Sequence, residues 1–134
     1  MTAEKNLLFI THTPIVVIAT GNMNIDSTSI FAGIPKQLPE ELCQTLLTSP
    51  SVRIERIISK GHCSADGFWY DQTQDEWVLL LQGQARLVFF DGAAVELAEG
   101  DYLLIPAHCK HRLAWTTPER ETVWLAIHIA QQSA

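Results

Sequence analysis

The chain has little that would serve nucleic acid, lipid or an oxidising compartment. Lysine and arginine number 9 against 15 aspartates and glutamates, with no basic run or stripe, which excludes the electrostatic footprint of a nucleic-acid binder. No apolar run approaches the ~20 residues that span a bilayer as a helix. Only three cysteines occur, Cys43, Cys63 and Cys109, an odd count with no C-x-x-C pair. That argues against a disulfide framework and for a reducing cytoplasm. No P-loop, dinucleotide fingerprint or G-x-S-x-G elbow is present, and there is no internal repeat or low-complexity segment.

What remains is a chain of 134 residues, 47% apolar, with a formal charge of -6, which is the profile of one globular domain with a sizeable core. The mild acidic balance favours solubility and says little about substrate. At the N-terminus, Leu7–Ile10 and Ile15–Ala19 are apolar, but Thr11-His12-Thr13-Pro14 interrupts them and Glu4 cancels Lys5. A secretory signal needs a basic start and a continuous apolar centre. Residues 1–23 are therefore expected to be an extension, either an extra edge strand or an upstream segment before a start at Met23.

Leu38-Pro39-Glu40-Glu41-Leu42 reads as the opening of a short helix, with proline at its first position and two acids where the dipole favours them. Leu38, Leu42 and Leu46 give it an apolar stripe, and Thr48-Ser49-Pro50 ends it. After Pro50 the period falls to two. Val52–Ile58, Phe68–Asp71, Glu76–Gln82, Ala85–Phe90, Val95–Leu97, Tyr102–Ile105, Arg112–Trp115 and Thr122–Ile129 read as short strands. Turns at Gly61, Gly83, Asp91-Gly92 and Gly100 separate several of them. Short strands at this spacing predict an all-β sandwich or barrel.

Two stretches carry the chemistry. Glu76 to Gly83 and Gly100 to His111 put a carboxylate and an imidazole on short apolar strands that end in glycine turns. These residues resemble the two motifs of the cupin family, G-x5-H-x-H-x3,4-E-x6-G and G-x5-P-x-G-x2-H-x3-N. Glu76 and Gly83 match the end of the first; Gly100, Pro106 and His111 match the second. The likeness covers roughly Val52 to Ile129. It implies a small double-stranded β-helix (jelly-roll) barrel over residues 24–134, a homodimer, and a pocket for a small molecule.

The departures from the motifs are as informative. With four residues before Glu76 the two H-x-H slots hold Trp69 and Asp71; with three they hold Tyr70 and Gln72. His108 stands in the second motif's glycine slot and Trp115 in its asparagine slot. In cupins that bind metal, two histidines, a glutamate and a third histidine hold Fe, Mn, Ni or Zn. Here only Glu76 and His111 carry over. Asp71 and His62, the latter freed to bend inward by Gly61, are the candidates to complete a divalent-metal site. The alternative is a carboxylate and imidazole satisfied by protein partners alone.

Tyr70 and His108 are candidate proton carriers, and Trp69 and Trp115 candidate pocket walls. His128, on an apolar strand, reads as structural. Two function classes follow: a metal-dependent small-molecule enzyme of dioxygenase or isomerase type, or a metal-free module that binds or senses a small ligand. No membrane or nucleic-acid partner is expected.

Overall fold

The computed structural model describes residues 25–131. Eight strands follow one another: β1 Leu42–Thr48, β2 Val52–Ser59, β3 Gln74–Gln82, β4 Ala85–Phe89, β5 Ala94–Leu97, β6 Tyr102–Ile105, β7 His111–Thr116 and β8 Thr122–Ala130. They form a five-stranded sheet in the order β1-β2-β8-β3-β6 and a three-stranded sheet in the order β5-β4-β7. All pairings are antiparallel. This is the all-β jelly-roll class expected from the strand spacing. The expected extension, residues 1–23, lies outside the described residues.

Two expectations are corrected. Phe68–Asp71, read as a strand, carries only an isolated bridge from Tyr70 to His111. The segment read as a helix, Leu38 to Thr48, contains strand β1, and among the described residues there is no helix. The reason is arithmetic: leucines four apart lie on one face of a helix, but four is also a multiple of two, so they fit a strand equally. A register shift between Thr45 and Leu47 then bends β1 and leaves Leu46 and Leu47 exposed, which blurs its alternation.

Facing sides of the two sheets supply the core. Val78, Leu80, Ala85, Leu87, Leu97, Ile105, Leu113, Trp124 and Ala126 form one buried cluster. Leu80 and Val123 are wholly excluded from solvent, and each such side chain stabilises the fold by roughly 1.5–3 kcal/mol. The register of the larger sheet sets which polar residues share that inner face. Arg53 pairs with His128, His128 with Glu76, and Glu76 with Ile105, so one row crosses β2, β8, β3 and β6. Directly opposed residues point to the same side of a sheet. The pattern therefore carries a guanidinium, an imidazole and a carboxylate side by side into the barrel.

Candidate functional site

A cavity of about 540 Å³ opens between the sheets, a size suited to a small organic molecule. Its apolar wall includes Ile57, Val78, Leu87, Ile105, Leu113 and Trp124, and its polar lining comes from β1, β2, β3, β7, β8 and the segment before β3.

Glu76 on β3 and His111 on β7 come from different sheets and meet across this space. Glu76 Oε2 lies 4.0 Å from His111 Nε2, and both side chains are nearly closed to solvent. His111 Nδ1 is 2.8 Å from the Cys109 carbonyl oxygen. A carbonyl can only accept, so Nδ1 carries the proton and Nε2 is left to gain or lose one inside the cavity. Tyr70 is bound to His111 by a two-way backbone bridge, Tyr70 N–H to His111 O at 2.7 Å and His111 N–H to Tyr70 O at 3.2 Å. Their rings stack with centroids 5.3 Å apart. The Gln72 amide donates to Glu76 Oε2 at 3.1 Å. Burial, reinforced by the nearby Glu41 and Glu76 charges, pushes the Tyr70 phenol far above its ordinary value, so Tyr70 stays protonated and can donate a hydrogen bond.

The three-residue spacing is therefore the one the fold uses: Tyr70 and Gln72 gather beside Glu76 and His111. Asp71 and His62 do not join them as ligands. Asp71 touches the cavity edge, but its Oδ1 lies 2.9 Å from His108 Nδ1 in an outward, half-exposed pair. His62 stays in its surface loop, where its Nδ1 accepts the Lys60 backbone N–H at 2.8 Å. Trp69 packs edge-on against Phe90 with Arg112 over its ring, and Trp115 is 38% exposed; neither lines the cavity, and Trp124 forms wall in their place. His108 is largely exposed, with φ 60. That left-handed backbone explains why the motif has glycine there, and the histidine bears a cost of about 1–2 kcal/mol.

A second polar group was not foreseen. Glu55 on β2 accepts the Cys43 thiol at 2.7 Å on Oε2, and its Oε1 lies 2.6 Å from His128 Nε2 and 3.3 Å from Arg53 Nε. Burial alone would raise the Glu55 carboxyl, but His128, Cys43 and Arg53 outweigh it and hold it below its ordinary range. Burial, followed by the Glu55 charge, pushes the Cys43 thiol far up, so Cys43 is a donor and not a nucleophile. The visible signal was the alternation of Arg53 and Glu55 with Ile54 and Arg56. With charges on both faces, it could not say which face was inside.

Glu41 completes the lining. Its carboxylate accepts the Ser59 hydroxyl at 2.6 Å, and Ser59 in turn accepts the Trp124 indole N–H at 3.2 Å. Burial raises the Glu41 pKa above 4.5, against the opposing Ser59 hydrogen bond and the His62 charge. A raised acid contributes its stability fully below its unfolded value and loses it as pH rises through its folded value. Thermal unfolding across pH 4 to 9 should therefore show Glu41→Gln gaining on the parent as pH rises. A constant difference across that range would disprove the assignment.

With this geometry in hand, comparison with known proteins decides the family. The family model described as "Cupin domain" matches residues 57–128. The chain is a cupin. Among solved structures, a protein of Ralstonia eutropha JMP134 named a "putative mannose-6-phosphate isomerase" is 44% identical, covering 80% of this chain and 100% of that one, with a TM-score of 0.76. A cupin superfamily protein of Desulfitobacterium hafniense DCB-2 is 23% identical over 82% of this chain and 96% of its own, with a TM-score of 0.65. A conserved Streptococcus pyogenes protein of unknown function is 17% identical over 85% and 95%, also with a TM-score of 0.65. These last two show the shared fold. No curated protein matches the chain.

Cupins often bind metal, and the donors of this one can be tested for it. A divalent ion takes three or four nitrogen or oxygen donors at roughly 2.0–2.2 Å, with charged carboxylate or thiolate and imidazole preferred. Glu76 and His111 offer two. The neighbouring slots hold a phenol that keeps its proton and a primary amide, and among the described residues no three His, Cys, Asp or Glu side chains converge as a ligand cluster. The donor set does not fit Fe, Mn, Ni or Zn in the expected four-residue manner.

Proposed function

We propose that this cupin binds a small polar organic molecule in its cavity and moves protons on it, an isomerase-type activity carried by Glu76 and His111 without a resident metal. The observation that carries the reading is the buried pair itself, a carboxylate and an imidazole 4.0 Å apart in the lining of one cavity. The name of the 44%-identical Ralstonia protein supports the reaction class.

In an aldose–ketose exchange Glu76 takes a proton from the carbon beside a carbonyl and returns it to the carbonyl carbon. His111 Nε2 gives a proton to the carbonyl oxygen and takes one from the neighbouring hydroxyl. Two hydrogens change places and no outside oxidant is needed. Tyr70, protonated and stacked on His111, donates to the oxygen on which charge develops. The apolar wall excludes water and strengthens each of these contacts. Dioxygenase chemistry has less support, because the iron donors it requires are not gathered.

The test offers mannose 6-phosphate and related aldose phosphates to the purified protein and follows ketose formation, with elemental analysis of the same sample. Turnover without stoichiometric metal is expected. Turnover that appears only with bound metal and vanishes on chelation would overturn the metal-free mechanism. A second reading, a non-catalytic binder, is favoured by the uncharged Tyr70 and Gln72 in the histidine slots; ligand binding with no turnover would select it. Pairing of two copies belongs to the same proposal, supported by exposed Leu46 and Leu47 on β1 and Tyr102 and Leu104 on β6. Gel filtration at twice the chain mass is expected, and elution as a monomer would remove it.

A further inference from the structure

Four polar atoms buried among the described residues lack a hydrogen-bond partner, and three of them, Arg53 Nε, His128 Nδ1 and His128 Nε2, belong to residues that line the cavity. Leaving such groups unsatisfied costs about 1–3 kcal/mol each, so the protein is expected to place a partner there. His128 is only 5% exposed. Its Nε2 lies close to Glu55 Oε1 at 2.6 Å, but the N–H is not aimed along that contact, and its Nδ1 has nothing. Arg53 Nε sits 3.3 Å from the same oxygen without a directed bond. One carboxylate oxygen thus stands between a guanidinium and an imidazole, and the other is occupied by the Cys43 thiol. Glu55 Oε1 faces both groups, yet neither contact is a directed hydrogen bond.

We infer that Arg53 and His128 form an anion-recognition subsite that holds the acidic group of the ligand, a phosphate monoester or a carboxylate. A guanidinium presents a planar fork of donors that matches both groups, and among the described residues no side chain takes a directed hydrogen bond from Arg53 Nε. Register gives the subsite its place. Arg53, His128 and Glu76 are direct neighbours across β2, β8 and β3, and adjacent strands are about 4.8 Å apart. The anion therefore binds one to two strand spacings, roughly 5–10 Å, from the carboxylate of the proton-transfer pair. That span defines the ligand class: a short acid whose charged group lies a few bonds from a carbonyl or hydroxyl. The placement deepens the proposed function and rests on it only for the identity of the reacting end.

The test records imidazole ¹⁵N–¹H correlation spectra of the full chain at constant ionic strength, titrated separately with inorganic phosphate and with acetate. Loss of a peak in His128→Gln assigns His128. One or both anions should move the His128 resonances while those of surface His62 stay in place. Arg53→Gln should weaken the response at least tenfold, and Arg53→Lys, which keeps the charge but not the fork, should weaken it less. The tighter of the two probes identifies the acid class. Unmoved His128 resonances with both anions, or a response undiminished in Arg53→Gln, would overturn the subsite. Anion binding without turnover would leave the subsite standing and count against the proton-transfer reading; turnover without anion binding would do the reverse.

Discussion

Replacing Gly83 by alanine is expected to be the most destabilising single-methyl change in this barrel. Gly83 turns the chain from β3 to β4 at φ 94, and a Cβ built there would lie 2.6 Å from Thr122 Cα and 2.8 Å from Thr122 Cβ. Real side chains do not approach backbone this closely. Thr122 is itself fully buried at the start of the central strand β8, so neither partner can yield cheaply. A left-handed non-glycine residue costs about 1–2 kcal/mol, and overpacking adds about 1–3 kcal/mol. Together that is roughly 2–5 kcal/mol, a large part of a typical domain's 5–15 kcal/mol. Gly92→Ala separates the two contributions. Its φ is also 94, yet nothing lies within 4 Å of the added carbon. Thermal unfolding should show Gly92→Ala losing the backbone part alone and Gly83→Ala losing clearly more. Equal losses would show that the Thr122 contact does not matter.

The second large effect concerns chemistry rather than stability. Glu76→Gln keeps shape and most of the packing but removes the base; general acid–base groups contribute roughly 10²–10⁴-fold. A fall of that order in kcat is expected with little change in KM, because the amide still fills the cavity wall. His111→Gln should fall by a similar factor, and the double variant should lose far less than the product, since the two act as one unit. Either single variant should unfold within about 1–2 kcal/mol of the parent, provided that the lost Cys109 carbonyl contact is the main cost for His111. A drop in turnover that tracks loss of folded protein instead would assign both residues to the core and not to the reaction.

Most of the barrel was legible because its strands are short, alternating and separated by glycines whose positive φ the turns require. β3, β4, β6, β7 and β8 lie within a residue or two of their expected bounds. β1 was not legible, since a four-residue leucine spacing suits either period and the decision comes from pairing with β2. Glu76 and His111 could be marked as a pair from motif spacing alone. The choice between Tyr70 with Gln72 and Trp69 with Asp71 could not, because it depends on a backbone bridge between Tyr70 and His111, which are far apart in sequence. His62 was drawn inward on the strength of Gly61's freedom to bend, but the bend keeps the imidazole on its own loop. The Arg53–Glu55–His128 group needed strand order: these residues meet because β8 pairs with β2, far from it in sequence.

The most direct test of the central claim is deuterium wash-in. The protein is incubated in D₂O with mannose 6-phosphate and, in parallel, with other short phosphorylated and carboxylated aldoses, and incorporation at the carbon beside the carbonyl is read by NMR. A carboxylate and an imidazole sharing one cavity predict exchange with at least one of these, slowed a hundredfold or more in Glu76→Gln. Exchange that proceeds at the parent rate in Glu76→Gln, or no exchange with any of them in the folded parent, would contradict it.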